Sequence, residues 1–230
     1  MSIIAQYRGN SSPGQLVDSS GNGYDLVTVG AAVGNPSTPT PPEGDRWLAH
    51  VANHLATSYL KAPAAVPSAI TAEGSIEGYI LPITNGVNAN MVFSVNDASG
   101  AGVIGQRFLM AIDPTGYPTA FRLYILQVNP SLILIDTLGH PMDGTTTQTF
   151  KVQWGAFGTE LYLDGALIGS SATAPTIPTT DITLAGWSFN STADNLAESY
   201  MDDIIIKDTV GAAISPGVLL LAERRRNWNN

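Results

Sequence analysis

Two histidines in this sequence have the spacing of ligands in a zinc-binding helix. His50 and His54 are four residues apart, which on a helix would place both imidazoles on one face. The catalytic form of the motif also has a glutamate directly after the first histidine, where this chain has Val51. Residues 59–63, which follow, favour a strand, and histidines at this spacing in a strand would not converge on one metal ion. We therefore predict no zinc site.

Groups for nucleophilic or acid–base catalysis are also scarce. The 230 residues include no cysteine and no Gly-x-Ser-x-Gly sequence, which excludes a thiol nucleophile and a serine nucleophile elbow. Glu73 and Glu77 are four apart, so a strand would carry both on one face, with Ser75 between them instead of a third carboxylate. We interpret both glutamates as solvated charges and predict that the protein is not an enzyme.

Short alternating segments predict the strands that would position any site. Residues 150–154 read Phe-Lys-Val-Gln-Trp, the period-two pattern of a half-buried strand, with Trp154 in the core. Asp164-Gly165 joins two apolar runs and predicts a type I′ hairpin, because both central residues of that turn have positive φ. Further strands are predicted at residues 76–81, 91–95, 103–112, 119–128, 132–136, 181–185 and 201–207.

Two segments depart from the strand pattern. Residues 35–43 contain four prolines and predict a long surface loop. Residues 215–226 predict the one convincing helix, with Ser215 as N-cap and Pro216 at the first helical position. Its three terminal arginines favour the negative end of the helix dipole, and we expect the helix to pack on its own sandwich or on a neighbouring subunit.

Composition restricts the class of protein. The net charge of −9 argues against a nucleic-acid binder, which would show a basic face, and only 13% of residues are charged. No apolar stretch approaches the roughly 18 residues of a membrane helix, so no membrane insertion is predicted. The N-terminus lacks the charged and apolar regions of a signal peptide. We expect a complete chain that forms one domain over residues 1–230.

Four segments, taken in order, resemble one family of β-sandwiches. They are residues 16–26, with a Ser-Gly-Asn-Gly loop; residues 69–82, with Tyr79 where that family has tryptophan; residues 150–170, with a Tyr-Leu-Asp-Gly hairpin; and residues 200–207, Tyr-Met-Asp-Asp-Ile-Ile-Ile-Lys. The set is similar to the laminin-G-like and pentraxin-like branch of the concanavalin-type lectin/glucanase jelly rolls. The resemblance implies an all-β, two-sheet antiparallel jelly-roll sandwich, followed by the short C-terminal helix.

The resemblance also implies where calcium would bind. By position, Asp202 corresponds to the aspartate that binds calcium in the related glucanases, and Asp18 and Asp25 lie in a loop that can hold a metal in related domains. Calcium takes six to eight oxygen ligands, which carboxylates and loop carbonyls supply. The alternative is that Asp202 accepts hydrogen bonds from backbone amides at the sheet edge and that the acids are solvated. Separately, we predict that Asp18 caps its own loop by accepting backbone N–H groups. The Glu-x-Asp-x-Glu triplet of the glycosidase branch is missing.

Sugar recognition would use exposed aromatic rings in the turn-rich segments. The candidates are the aromatic residues Trp47, Tyr117, Trp187 and Phe189, with Asn190 as an amide partner for sugar hydroxyls. Aromatic side chains in packed sandwiches are more often core residues, so we assign no sugar site from the sequence.

Fold and composition together predict a non-catalytic structural or adhesive protein. We expect it on the surface of an extracellular particle, foremost a phage virion, as a capsid-decoration or fibre protein made without a signal peptide. Its expected partners are a shell or tail protein, further copies of itself as a trimer, and a surface glycan. The alternative is a stand-alone calcium-dependent carbohydrate-binding module or lectin. The apolar runs at residues 132–135 and 218–221 would serve either a core or an interface.

Overall fold

The computed structural model of the chain describes residues 2–11, 16–29, 34–51, 59–82, 90–96, 107–113, 122–128, 132–137, 142, 145–184 and 199–209. Several predictions lie outside these residues. They concern the helix at 215–226, the apolar run at 218–221, His54, Tyr117, Trp187, Phe189 and Asn190.

Strands dominate the described residues. In chain order they are β1 (Ile3–Tyr7), β2 (Val27–Val29), β3 (Ala49–Val51), β4 (Tyr59–Ala62), β5 (Gly74–Pro82), β6 (Asn90–Asn96), β7 (Arg107–Asp113), β8 (Arg122–Val128), β9 (Leu132–Asp136), β10 (Gln148–Gly155), β11 (Gly158–Leu163), β12 (Ala166–Ser171), β13 (Asp181–Leu184) and β14 (Ser199–Lys207). The helix α1 is the single turn Ala65–Ser68. No helix in this part of the chain is long and apolar enough to cross a membrane.

The strands form two antiparallel sheets that pack as a sandwich. Sheet A has the order β1-β14-β5-β10-β11-β12, and β3 also pairs with β14. Sheet B has the order β2-β4-β13-β6-β7-β8-β9. All these neighbouring strands run antiparallel. The predicted two-sheet antiparallel sandwich is confirmed.

The core between the sheets follows the alternation seen in the sequence of β10. Phe150, Val152 and Trp154 are all buried. The Trp154 indole N–H donates to the backbone oxygen of Ile70 at 3.1 Å, and the ring meets Phe108 of β7 edge to face, with centroids 5.1 Å apart. Because its N–H has a partner, this large ring is buried without leaving a donor unsatisfied, and it joins the two sheets.

The apolar run in β9 is divided between the core and the surface. Leu134 and Ile135 are buried, whereas Leu132 and Ile133 are 41% and 55% exposed. This strand ends sheet B and lies beside β12, the last strand of sheet A. The first half of the run is therefore surface at the side of the sandwich.

Two turns of sheet A depend on positive backbone φ. Asp164 (φ 48°) and Gly165 (φ 76°) form the β11–β12 turn, as the type I′ prediction requires. Gly158, which follows the β10–β11 turn, has φ 104°. A Cβ at Gly158 would lie 2.0 Å from the Ser171 backbone oxygen, whereas a Cβ at Gly165 would meet nothing within 4 Å. Gly158 is thus required both by its positive φ and by the lack of space for a side chain.

We expect Gly158→Ala to lower the free energy of unfolding more than Gly165→Ala does. Both alanines would sit at positive φ, which costs about 1–2 kcal/mol, but only the first would also collide with a neighbouring strand. Urea denaturation of the two variants measures the difference. Equal losses would contradict the close contact between β11 and β12 at Gly158.

Candidate functional site

The glycine-rich loop at residues 18–25 is organised around one carboxylate. Asp18 Oδ1 accepts the amides of Gln6 and Ser20 at 3.0 and 2.9 Å, and Oδ2 accepts the Ser20 hydroxyl at 2.8 Å and the Tyr24 amide at 3.1 Å. Asp25 Oδ1 in turn accepts the Asp18 amide at 2.9 Å. Burial alone would raise the pKa of Asp18, but these hydrogen bonds outweigh it and the pKa is lowered. The prediction that Asp18 caps this loop is confirmed.

Asp202 lies in β14 and is completely buried. Its Oδ1 accepts the Gly9 amide at 2.9 Å, whereas Oδ2 has no hydrogen-bond partner among the described residues. Burial raises the pKa of this carboxyl group, and nearby backbone amides, that of Gly9 foremost, oppose the rise. The result is a buried acid that is only half satisfied by hydrogen bonds.

Asp203 interrupts the regular alternation of β14. It has φ 44°, and the pairing of β14 with β5 shifts register after Asp202. Its Oδ1 accepts the Gln6 side-chain amide at 2.6 Å and pairs with the Arg8 guanidinium at 2.9 Å. The irregular backbone therefore directs both aspartates of this pair toward residues 6–9, so that β14 holds the N-terminal strand through side chains as well as the backbone.

The three predicted calcium ligands differ in the oxygens that they could offer. Tyr7 of β1 pairs with Ile204 of β14 on one side and bridges to Asp18 on the other, so β1 separates Asp18 from Asp202. Both Asp18 oxygens already accept N–H or O–H groups, and Asp25 is an exposed residue whose Oδ1 accepts the Asp18 amide. Among the described residues, the buried carboxylate oxygen without a partner is Asp202 Oδ2, which therefore best fits a cation. No group of three or more His, Cys, Asp or Glu residues in the described part of the chain is arranged to hold a metal.

The described aromatic and histidine candidates belong to the packed interior. Trp47 is fully buried, and its indole N–H donates to the Pro39 backbone oxygen at 2.6 Å. Its ring lies 5.3 Å from Tyr200, which also stacks on His50 at a centroid distance of 4.1 Å. Since His50 lies in β3, it does not belong to a zinc-binding helix, and Trp47 presents no ring to a sugar.

A set of polar side chains covers the four central strands of sheet A on the side away from the core. We call it the outer polar face; its members are Glu77 (β5), Lys151 and Gln153 (β10), Glu160 and Tyr162 (β11) and Lys207 (β14). In register, Lys151 lies opposite Glu77 and Tyr162, and Gln153 lies opposite Glu160. Side chains opposite each other on one face of a sheet are in contact range.

Hydrogen bonds fix the β10–β11 half of the outer polar face. The Gln153 side-chain amide donates to Glu160 Oε2 at 2.5 Å, and the Tyr162 hydroxyl donates to the same oxygen at 2.7 Å. Burial, followed by the hydrogen bond to Glu160, raises the pKa of Tyr162 to about 12. Tyr162 is therefore a protonated donor at neutral pH, and one Glu160 oxygen is held in a fixed position.

The β5–β14 half of the outer polar face is held by an ion pair. The Lys207 ammonium contacts the Glu77 carboxylate across adjacent strands, and both side chains are mostly buried. The interpretation of Glu77 as a solvated charge is therefore wrong, because a strand 130 residues away supplies its counter-ion. Glu73 is exposed and precedes β5, so it does not share this face.

Two buried polar atoms on this side of sheet A have no hydrogen-bond partner among the described residues. They are Ser75 Oγ and Gln153 Oε1, on residues that are 1% and 3% exposed and lie opposite each other in register. Unsatisfied buried groups cost about 1–3 kcal/mol each, and they are few in native proteins. The sequence shows that Lys151 and Gln153 alternate with core residues, but it does not show which side chains lie across the sheet from them.

Comparison with known proteins shows similarity in fold. No family model and no curated protein sequence matches the chain. Domain 4 of AbnA, an extracellular GH43 arabinanase from Geobacillus stearothermophilus solved in complex with arabinotriose, is similar with a TM-score of 0.63 and 13% identity. The match covers 92% of this chain and 95% of that domain.

The chain is also similar to binding domains of bacterial toxins. The binding domain of Paraclostridial Mosquitocidal Protein 1 matches with a TM-score of 0.62 and 10% identity, over 92% of this chain and 50% of that one. The receptor-binding domain of the botulinum neurotoxin C/D mosaic serotype matches with a TM-score of 0.59 and 16% identity, over 92% and 49%. The chain thus spans about half the length of these toxin chains. At such identities the likeness shows the fold, a β-sandwich of the kind found in carbohydrate-binding and receptor-binding domains.

We expect Asp18→Asn to lower the free energy of unfolding at about pH 7 by about 1–3 kcal/mol, because an amide cannot accept at both former oxygens. The pKa of Asp18 is lower in the folded than in the unfolded chain. Its carboxylate therefore stabilises the fold above the unfolded pKa of about 4, and this stabilisation is lost as the pH falls through the folded pKa. The difference in the free energy of unfolding between Asp18→Asn and wild type should therefore shrink as the pH falls from about 7 to below about 4. Urea denaturation at several pH values in this range measures it.

Asp45→Asn is the matched control for Asp18. Asp45 also accepts a backbone amide, that of Ser11 at 2.9 Å, but on the exposed surface. If Asp45→Asn lowered the free energy of unfolding as much as Asp18→Asn does, the assignment of Asp18 as the residue that holds the loop would be contradicted.

Proposed function

We propose that this chain is a non-catalytic glycan-binding module and that its outer polar face is the binding surface. The observation that carries the proposal is the fixed set of donors and acceptors on the adjacent strands β10 and β11, beside the half-buried side chain of Tyr162. Sugar hydroxyls need such pairs of donors and acceptors, and fixed ones bind with less loss of side-chain entropy. The similarity in fold to an arabinanase domain solved with arabinotriose supports this proposal.

The arrangement of the two glutamates on this face supports binding without hydrolysis. The backbones of Glu77 in β5 and Glu160 in β11 are separated by β10, hence by about 10 Å across the sheet and a further 7 Å or so along the strands. Each glutamate also has its own partner, the ammonium of Lys207 for one and the hydroxyl of Tyr162 for the other.

We expect saccharides to perturb the NMR amide signals of β10 and β11 when arabinotriose, lactose and acidic oligosaccharides are titrated into the labelled protein. Tyr162→Ala or Glu160→Gln should weaken the binding about tenfold, the effect of losing one hydrogen bond to a charged group. Glu73→Gln, an exposed carboxylate outside this face, serves as the control. Signals that move only in other strands, or the absence of saturable shifts with every sugar, would contradict the proposed site.

The biological setting that we propose is the surface of an extracellular particle, foremost a phage virion. There the chain would act as a decoration or fibre protein, attached to a shell or tail protein and to further copies of itself. The low proportion of charged residues, 13%, supports such a surface role. The alternative proposal is a stand-alone calcium-dependent lectin, which the buried and half-satisfied carboxyl group of Asp202 supports.

Light scattering and thermal unfolding, each with and without calcium, separate the two settings. A closed oligomer such as a trimer, indifferent to calcium, is expected for the virion protein. For the lectin, calcium should raise the Tm of a monomer, since a ligand that binds only the native state stabilises it. Asp202→Asn should then abolish that rise. A calcium-indifferent monomer would contradict both settings while leaving the glycan-binding proposal standing.

A further inference from the structure

Lys151 is a cation at the centre of the outer polar face. It lies in the middle of β10, between Glu77 of β5 and Tyr162 of β11. Its side chain is half-buried, and its ammonium stands 5.8 Å from the centroid of the Tyr162 ring. Yet Lys151 forms no ion pair with any carboxylate in the described part of the chain.

The two neighbouring carboxylates are held away from Lys151 by other contacts. Glu77 pairs with Lys207 on the side of β14, and Glu160 is bound at Oε2 by Gln153 and Tyr162. A charge that is partly removed from water is stabilised when an opposite charge or several hydrogen bonds reach it. Burial accordingly lowers the pKa of Lys151, and the charge of Glu77 only partly opposes this effect.

From this arrangement we infer that the outer polar face selects saccharides that carry an acidic group, with that group bound to the Lys151 ammonium. The inference rests on the glycan-binding function proposed above and adds the chemical class of the ligand. Either a carboxylate, as in uronic and sialic acids, or a sulfate ester supplies the required charge. Neutral hydroxyls of the same saccharide would bind Glu160 Oε1, for which no described residue is a partner.

The overall charge of the protein makes this selectivity a local property. With a net charge of −9, the molecule as a whole repels anions, so an acidic saccharide gains nothing from long-range attraction. Any preference for the acidic member of a matched pair of ligands must therefore come from a contact at close range. A contact of this kind is also less sensitive to salt than a general basic surface would be.

The experiment uses the full chain and matched pairs of ligands. Isothermal titration calorimetry compares 3′-sialyllactose with lactose, trigalacturonate with galactotriose, and 6-sulfated galactose with galactose. The variants are Lys151→Met, which keeps the apolar stem but removes the charge, and Lys61→Met as control. Lys61 is also a half-buried lysine, but it lies in β4 of sheet B, away from the outer polar face. Because each substitution removes one positive charge, both change the net charge equally. Thermal unfolding of each variant checks that the fold is retained.

We expect at least one acidic ligand to bind the wild type about tenfold more tightly than its neutral partner, and Lys151→Met to remove this preference. The control should keep it, and the carboxylate and sulfate pairs identify which anion is preferred. Equal binding of acidic and neutral partners, or equal effects of the two variants, would overturn the inference and leave the glycan-binding function intact. If Lys151→Met fails to fold, the comparison of ligands on the wild type decides alone. Failure of every ligand to bind would overturn both.

Discussion

The register of β10 between β5 and β11 is the constraint on which both the core and the proposed site depend. Side chains alternate along a strand, so the register that sends Trp154 into the core also sends Lys151 and Gln153 to the outer polar face. A slip of one residue would exchange the two sets. The deeply buried indole, hydrogen-bonded to Ile70 and packed against the opposite sheet, makes such a slip costly. Core packing thereby fixes the position of the polar side chains on the other side of the sheet.

Local sequence signals predicted the parts of the fold that depend on neighbouring residues. The alternation in β10, the Asp164-Gly165 turn and the capping role of Asp18 all act within short segments and are confirmed. The strand β1 was not predicted, because five residues at the N-terminus show little alternation and pair with β14 nearly two hundred residues later. The Glu77–Lys207 pair was missed for the same reason, since no local pattern indicates which strands become neighbours.

The aspartates near the N-terminal strand illustrate how one residue type serves different purposes. Asp18 and Asp203 use their charge to accept hydrogen bonds from residues of β1 and its extension, and Arg8 adds an ion pair. Asp202 is buried more deeply and keeps an unpartnered oxygen. The hydrogen bonds and the ion pair of Asp18 and Asp203 offset the cost of burying their charge, whereas the hydrogen bond from the Gly9 amide to Asp202 leaves one buried oxygen without a partner among the described residues. The sequence does not show this difference, because the contacts of Asp202 and Asp203 come from residues 6–9, almost two hundred residues earlier in the chain.

The central place of β14 in sheet A has a consequence for biosynthesis. Because β14 pairs with β1, β3 and β5, all three partner strands emerge from the ribosome more than a hundred residues before it does. Until then, each of them has an open edge where β14 belongs, and open strand edges are sites of mispairing between nascent chains. Contacts this distant in sequence also slow folding. Sheet A can therefore be completed only after β14 has been synthesised, so its earlier strands depend on protection of their edges until that point.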